Sequence, residues 1–309
     1  MRNTFIEQLR LEAIHRPDVL LLTGDLGFGV LNRYRETVPQ QFLNVGIAEQ
    51  NMIGVAAGLA LEGFCVCTYS IGNVSSLRCL EQIRNDVCYA NLNVKIISVG
   101  SGLGYGSLGM SHHATEDVSI LRALPNMTIY SPADVAEAKA VAHACLQEPT
   151  PAYIRLARVS SNVTETRSVH VDGCNVVGQD HGHALLLLTH GSTLALAQSI
   201  SERLPCDVYT VPMLNPLPET ALLQILRRRT HVITLEEHNR IGGFGSAIGE
   251  FLSDHDCPQK LIRLGLPDHF MSTGGTAEQL CADAGLDCAH CIQTIERHLR
   301  QKVSSGEQN

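Results

Sequence analysis

Glu49 is the residue whose type and setting best suit acid–base chemistry. It stands near the start of a helical pattern, residues 45–60, whose other positions are mostly apolar. A carboxyl group flanked by Ile47, Ala48 and Met52 would be poorly solvated, and burial would favour its protonated form. Such a group can share a proton with a ligand nitrogen. Alternatively, Glu49 is only a first-turn acid favoured by the helix dipole, at about 0.3–1 kcal/mol.

Two adjacent histidines, His112 and His113, form a second candidate site. They follow a glycine-rich stretch, residues 100–109. Imidazole can donate, accept or relay a proton near neutral pH. The alternative is that one ring caps a helix beginning near Ala114 and the other faces solvent.

The glycine-rich segments do not have the spacing of a nucleotide site. Residues 100–106 are not followed directly by a helix, and no acidic residue lies about 20 positions on. Residues 242–245 open a helix, where we favour tight packing over phosphate binding. The chain has no P-loop and no His-Glu-x-x-His motif.

Composition excludes several classes of protein. Of the 309 residues, 44% are hydrophobic and 17% charged, which indicates a globular chain with material for a core. The net charge of −8 argues against a nucleic-acid surface. No apolar run approaches the roughly 20 residues of a membrane span. The first residues lack the apolar stretch of a secretory signal, so we expect no membrane and a cytoplasmic location.

The 11 cysteines are an odd number, and several stand inside apolar runs. We interpret them as small buried hydrophobic residues of a reducing cytosol. Cys288-Ala-His-Cys291 resembles half of a zinc site, but no second pair follows at the spacing of a zinc finger. We therefore predict no metal site on this chain.

Alternating strand and helix patterns position these candidates. Strands are predicted at residues 19–23, 64–69, 94–99, 127–130, 152–156, 184–189, 206–211, 231–236 and 260–264. Helices are predicted at residues 3–15, 45–60, 77–89, 116–123, 133–146, 193–203, 219–227, 241–252, 277–284 and 291–303. The alternation is typical of the α/β class, with mostly parallel sheets flanked by helices. We expect a domain at residues 1–165, a linker at 166–182, a domain at 183–303 and a frayed polar tail.

A family resemblance joins these observations. Gly46-Ile-Ala-Glu49-Gln-Asn-Met52 resembles the signature of the pyrimidine-binding domain of the transketolase family. Other similar segments follow in order: Arg78-Cys-Leu-Glu-Gln-Ile-Arg84-Asn85, Ser111-His112-His113-Ala-Thr-Glu116-Asp117, Tyr153-Ile-Arg155-Leu-Ala-Arg158, Glu236-Glu-His238-Asn-Arg240-Ile-Gly-Gly and Gly265-Leu-Pro-Asp268. The chain is similar to the C-terminal section of a transketolase, a pyrimidine-binding domain followed by the transketolase C-terminal domain. The diphosphate-binding domain would belong to a separate N-terminal subunit.

The resemblance implies thiamine diphosphate as cofactor. Glu49 would contact its aminopyrimidine ring, whose imino tautomer a carboxylic acid favours. Asp25 is a further candidate contact, although Gly24-Asp25-Leu26 lacks the Gly-Asp-Gly start of the metal and diphosphate site. The aromatic residues that usually stack on the pyrimidine fall on Ile71 and Val74, so either Tyr69 compensates or aliphatic contact suffices.

The resemblance also implies a substrate site. His112 matches a loop histidine that donates to the developing alkoxide or relays a proton, and His113 would be a second donor. Arg158 matches a phosphate-binding arginine and Arg2 a possible second one; both could equally be ordinary surface arginines. The family's sugar-reading aspartate becomes Leu108.

A phosphate-binding histidine of many transketolases falls on Gly100. Together with Leu108, this departure predicts a substrate pocket that is not that of a pentose-phosphate enzyme.

We therefore predict the small subunit of a split transketolase-like enzyme, a transferase moving a two-carbon ketol or acyl unit from a ketose or 2-oxo acid to an aldehyde or ketone. The partner subunit would bind Mg²⁺ or Ca²⁺ and complete an α2β2 heterotetramer. One alternative is the β subunit of a 2-oxo acid dehydrogenase decarboxylase component. Another is a non-catalytic regulatory paralogue.

Overall fold

A computed structural model of the protein describes residues 1–158 and 168–300, and it has two α/β halves. The strands of the first half are β1 (Val19–Thr23), β2 (Phe42–Asn44), β3 (Cys65–Ile71), β4 (Val94–Val99), β5 (Thr128–Tyr130) and β6 (Ala152–Leu156). Its helices are α1 (Arg2–His15), α2 (Asn32–Thr37), α3 (Glu49–Leu61), α4 (Gly72–Ser76), α5 (Leu80–Gln82), α6 (Asp117–Leu121) and α7 (Val135–Gln147).

The second half repeats the alternation. Its strands are β7 (Asn175–Val176), β8 (Leu185–Thr189), β9 (Asp207–Thr210), β10 (Met213–Asn215), β11 (His231–Asn239) and β12 (Lys260–Leu266). Its helices are α8 (Leu194–Ser201), α9 (Glu219–Leu226), α10 (Phe244–Asp254), α11 (Ala277–Asp283) and α12 (Cys288–Arg300).

The first sheet has the strand order β10-β5-β6-β4-β3-β1-β2, and every pairing except β10 with β5 is parallel. The inner strands β1, β3, β4 and β6 are buried on both faces, since α1 and α7 cover one face of the sheet and α3 the other. The chain turns to opposite sides of β1 to form β2 and β3. A crevice at the carboxyl ends of such strands is the usual ligand site of an open parallel sheet.

The second sheet has the order β12-β11-β8-β9-β7, with β7 antiparallel to β9. The two halves share a hydrophobic core, because a single buried cluster contains Met52 and Val66 of the first half together with Leu186 and Phe244 of the second. The predicted class, two mostly parallel sheets flanked by helices, is confirmed.

Several elements differ from the sequence prediction. The helix predicted from residue 45 begins only at Glu49, because Gly46 is left-handed with φ +76° and Ala48 has the non-helical angles φ −146° and ψ 64°. The helix predicted at residues 77–89 is divided into α5 and a π-helical turn, Ile83–Cys88. The short strands β2 and β10 are absent from the prediction, and β10 joins the first sheet although it follows the second domain's first strands.

The predicted linker, residues 166–182, contains β7. Part of it, the proposed boundary at residue 165 and the predicted tail at 304–309 lie outside the described residues. The final predicted helix, residues 291–303, begins earlier, at Cys288, and its last three positions are likewise outside.

No helix within residues 1–158 and 168–300 is long and apolar enough to cross a membrane. All 11 cysteines lie in these ranges and are free thiols. In the same ranges, no cluster of three or more cysteine, histidine or acidic side chains could hold a metal ion, and the half-site at Cys288 and Cys291 stays incomplete.

Candidate active site at the carboxyl edge of the first sheet

Glu49 lies buried where the sheet ends. It is the first residue of α3, and only 5% of its surface is exposed. Gly24 follows β1 directly, and a Cβ atom placed there would lie 3.5 Å from Glu49 Cγ. The acidic side chain therefore packs close to the strand end. A carboxyl group is held at the edge where open parallel sheets bind their ligands.

Arg78, which sequence reasoning did not select, pairs with this carboxylate. Its Nη1 donates to Glu49 Oε2 at 2.9 Å, and 53% of the arginine side chain is exposed. Arg78 lies in the turn between α4 and α5, so no local spacing links it to Glu49. The sequence suggests wholly apolar surroundings for Glu49. The structure differs, because the half-exposed cation of Arg78 faces one of the carboxylate oxygens.

Asp25 joins the ends of β1 and β2. Its backbone is left-handed with φ 58°, and its N–H donates to Asn44 Oδ1 at 3.0 Å. The Asn44 amide returns a hydrogen bond to Asp25 Oδ1 at 3.0 Å. Asp25 also lines a small cavity of about 190 Å³ with Phe28 and Arg35. Its contact with the cofactor stays a prediction.

Tyr69 is on the opposite face of the sheet from α3. It packs in the cluster formed by Phe5 and Leu9 of α1, and burial raises its pKa to about 12. Ile71 ends β3 and Val74 lies in α4, both partly buried at the carboxyl edge. Tyr69 and Ile71 lie two positions apart on β3 and therefore on one face of the sheet, and the contacts of all three residues with a pyrimidine stay predictions.

The glycine-rich loop after β4 carries both histidines. Gly102 and Ala114 close it by donating to each other's carbonyl groups, each at 2.9 Å. His112 is partly exposed, and its Nδ1 lies 3.0 Å from Ser111 Oγ. His113 is buried, with Nε2 at 2.9 Å from the Gly106 carbonyl, to which it donates. His112 thus presents an imidazole edge to its surroundings, whereas one nitrogen of His113 holds the loop.

Tyr105 is a second residue that sequence reasoning missed. The Arg158 guanidinium lies 5.1 Å from the centre of its ring, within range of a cation–π interaction. The ring of His112 meets it edge-on, with centroids 5.8 Å apart. Burial raises the pKa of Tyr105, and the charges of Arg158 and Arg2 act against that rise. Arg158 therefore stands against this aromatic ring.

A cleft between the two domains opens beside this ring. Its volume is about 640 Å³, and Tyr105, Ser107 and Arg158 line one side while Glu237 and Thr276 line the other. Arg158 is exposed there. Leu108 ends a 3₁₀ turn of the same loop and is 53% exposed. Of the predicted substrate residues, Arg158 lines this cleft, whereas Leu108, His112 and His113 lie on the adjoining loop and Arg2 on α1.

Two family models account for most of the chain. The transketolase pyrimidine-binding domain matches residues 1–162, and the transketolase C-terminal domain matches residues 174–291. This chain belongs to the transketolase family. The predicted family is confirmed. The predicted correspondence to the C-terminal section of a transketolase is also confirmed, since relatives of matching length are transketolase subunits.

Among these relatives, a subunit of the apulose-4-phosphate transketolase of Actinobacillus succinogenes is 32% identical, over 81% of this chain and 82% of its own length. The 6-deoxy-6-sulfo-D-fructose transketolase subunit of a Clostridium species is 33% identical, over 89% of this chain and 87% of its own length. A solved split-gene transketolase, an inactive β4 tetramer, superposes with a TM-score of 0.85 at 30% identity, over 96% of this chain and 97% of that one.

The residues present fit one half of thiamine diphosphate. Glu49 supplies a buried carboxyl group, and the hydroxyl groups of Thr68 and Ser70, buried on β3, have no hydrogen-bond partner in the part of the chain described. These groups suit a polar heterocycle. The metal and diphosphate half is not matched, because the ranges described hold no metal-ligand cluster and Asp25 is tied to Asn44.

Proposed function

We propose that this chain is the C-terminal subunit of a split, thiamine diphosphate-dependent transketolase that moves a two-carbon unit to an aldehyde or ketone acceptor. The observation that carries the proposal is the buried Glu49 carboxyl group at the first turn of α3, beside Gly24. Few structural roles require an acid there, whereas pyrimidine activation requires one. Ketol transfer is favoured over acyl transfer by the names of the relatives.

Thiamine diphosphate, when bound, supplies a carbon nucleophile and a temporary electron sink. Glu49 would hold a proton at a ring nitrogen of the pyrimidine. Arg78 would then either leave the Glu49 carboxyl group or continue to donate to its other oxygen. Ile71 and Val74 would contact the ring. His112 would donate from its imidazole to the oxygen that becomes negatively charged in the acceptor. Arg158 and Arg2 would bind an anionic substituent of the substrate. His113 would stabilise the loop through Nε2 and would act as a second donor, through Nδ1, only in its protonated form.

The acceptor is proposed to be a modified sugar rather than a standard pentose phosphate. Leu108 cannot hydrogen-bond a sugar hydroxyl, and Gly100 carries no histidine. Relatives named for apulose-4-phosphate and 6-deoxy-6-sulfo-D-fructose are consistent with this direction. Deoxysugars and nucleotide-linked ketosugars are suitable acceptor classes. Because a pocket without polar side chains at these two positions also suits a donor with few hydroxyl groups, pyruvate is a candidate acyl donor.

The active assembly is proposed to be an α2β2 heterotetramer working in the cytoplasm. A separate N-terminal subunit would bring the Gly-Asp-Gly site with Mg²⁺ or Ca²⁺ and the diphosphate contacts. The free thiols of all 11 cysteines suit a reducing compartment.

The test is reconstitution with the N-terminal subunit. A panel of donors and acceptors would be assayed with and without thiamine diphosphate and magnesium, with turnover expected only when both subunits and the cofactor are present. Calorimetry on the lone chain should detect no micromolar binding of thiamine diphosphate. Micromolar binding without a partner, or turnover by the lone chain, would overturn the split-subunit proposal.

A further inference from the structure

A side chain of the second domain reaches into the histidine loop of the first. Glu237, in β11, is only 6% exposed, and its Oε1 accepts a hydrogen bond from the Leu103 backbone N–H at 2.5 Å. Its other carboxylate oxygen accepts from Ser192 Oγ. A buried carboxylate is thus satisfied by one donor from each domain, and an unsatisfied one would be costly to bury.

Gly102 shows how closely the two domains fit at this point. Its φ is +58°, and a Cβ atom placed there would lie 2.5 Å from Glu237 Cγ and 2.6 Å from the Glu237 carbonyl oxygen. Only glycine allows both the backbone conformation and the approach. Gly106 has the same relation to the second domain, with its Cβ position 2.9 Å from the Gly275 carbonyl oxygen. Gly102 and Gly106 therefore serve domain contact.

Glu237 also helps to hold the far end of the loop, through its backbone carbonyl group. Arg155, fully buried, donates from Nη2 to the Ala114 carbonyl and to the Glu237 carbonyl, each at 3.0 Å. Its Nε donates to Asp117 Oδ2 at 2.8 Å. Glu237 therefore contacts the start of the loop with its carboxylate and the end of the loop through Arg155. His112 lies on the segment between these two anchors.

We infer that Glu237 is a positioning residue, by which the C-terminal domain sets the conformation of the loop that carries His112. That Glu237 fixes the loop conformation rests on the hydrogen bonds alone. That the loop conformation affects turnover rests on the proposed function. It gives the C-terminal domain a part in the reaction through the loop that Glu237 holds.

The structural part is tested by amide hydrogen exchange of residues 101–114 in the full chain. Glu237→Ala should speed exchange in this segment by about tenfold or more, because the loop loses an anchor. Glu236→Ala is the matched control: the neighbouring buried carboxylate accepts from Phe244 N at 2.7 Å and Gly245 N at 2.8 Å, within its own domain. It should destabilise the second domain and leave loop exchange unchanged. Equal exchange in both variants would overturn the inference.

Two further variants separate the reach of the side chain from its charge. Glu237→Gln keeps the length and an oxygen for Leu103 N–H, so loop protection should be restored to near wild type. Glu237→Asp keeps the charge but is one methylene shorter, so it should resemble Glu237→Ala. The aspartate variant also replaces the alanine variant if the latter does not fold. Full protection in Glu237→Asp would contradict the inference.

The catalytic part is tested on the reconstituted enzyme by a double-mutant cycle with His112→Ala. Glu237→Asp should lower kcat by about 10²-fold through misplacement of the imidazole, with the affinity for thiamine diphosphate unchanged. Because Glu237 would act through His112, the two losses should not add in the double variant. Additive losses would exclude positioning of His112. Absence of transketolase activity in wild type would contradict the proposed function, while the exchange result would still stand.

Discussion

The ring of Tyr105 occupies the space that a side chain on Gly100 would need. A Cβ atom built on Gly100 would lie 2.0 Å from Tyr105 Cε2, and Gly100 has φ +84°. The absence of a phosphate-binding histidine at position 100 therefore does not leave a gap in the pocket. Tyr105 fills it, and the same ring carries the Arg158 guanidinium.

Gly100→Ala should destabilise the chain more than backbone strain alone predicts. Gly109 is the control, because it has φ +76° in the same loop and a Cβ there would have no atom within 4 Å. Gly109→Ala should cost about 1–2 kcal/mol of unfolding free energy, as a left-handed conformation does for alanine. Gly100→Ala should cost about 1–3 kcal/mol more, from overpacking against the ring. Denaturant unfolding measures both.

Removing the ring should abolish that difference. In a Tyr105→Ala background, Gly100→Ala and Gly109→Ala should have similar costs, because only the backbone strain remains. Gly100→His alone should not create a phosphate site. A Gly100→Ala variant as stable as Gly109→Ala in the wild-type background would mean that the ring moves aside freely.

The sequence predicts the place of Glu49 but not its partner. The apolar helix pattern and the first-turn position are local properties, and burial follows from them. The ion pair with Arg78 joins residues 29 positions apart, through a turn whose course depends on how α4 packs. Likewise, the fold-back of Tyr105 onto Gly100 depends on a left-handed glycine, which a sequence permits but does not require.

The short strands were beyond prediction for a related reason. β1, β4 and β6 have the bounds that the sequence predicts, because short, mostly apolar runs indicate strands buried on both faces. β10 has three residues and no detectable period, and it becomes a strand only by pairing with β5 of the other domain. Its existence is decided by tertiary contact.

Glu49→Gln should leave assembly intact and remove most turnover. The amide still accepts a hydrogen bond from Arg78 and has the same size, but it cannot supply the proton that a pyrimidine nitrogen needs. The loss should be about 10²–10⁴-fold in kcat, as for a general acid or base. Glu62→Gln, at the exposed end of the same helix, is the control and should be neutral. Activity of Glu49→Gln within a few-fold of wild type would return Glu49 to a helix-dipole role.

Leu108→Asp should shift acceptor preference toward hydroxylated sugar phosphates. A sugar hydroxyl buried against leucine in the assembled enzyme would stay unpaired, at about 1–3 kcal/mol, and aspartate would accept its hydrogen bond. The ratio of kcat/KM for ribose 5-phosphate to that for the best deoxysugar should rise by about tenfold or more.

Met110→Asp controls for added charge, since Met110 is 55% exposed in the same loop. Ribose 5-phosphate proving the best acceptor of the wild-type enzyme would mean that Leu108 carries no specificity.

His238→Gln should make the protein less sensitive to acid. Burial lowers the pKa of His238 from 6.5 to about 4, with Asp117 opposing the shift. The unfolded chain therefore takes up a proton at this residue below pH 6.5, and the folded chain only below about pH 4. The stability that neutral His238 contributes is present above pH 6.5 and is lost as pH falls toward 4.

Glutamine can replace both hydrogen bonds of the neutral ring, in which Nδ1 donates to the Asn239 carbonyl at 2.6 Å and Nε2 accepts from Ser119 N at 3.4 Å. Asp117 and Glu236 each stand 3.8 Å from the ring, and both remain in the variant. Unfolding free energy measured from pH 7 to pH 4 should therefore fall less in His238→Gln than in wild type, by about 3 kcal/mol at most. His269→Gln, at an exposed histidine, is the control and should leave the pH dependence of the unfolding free energy as in wild type. If the free energies of His238→Gln and wild type fall in parallel with pH, the folded and unfolded chains bind this proton alike and the prediction is wrong.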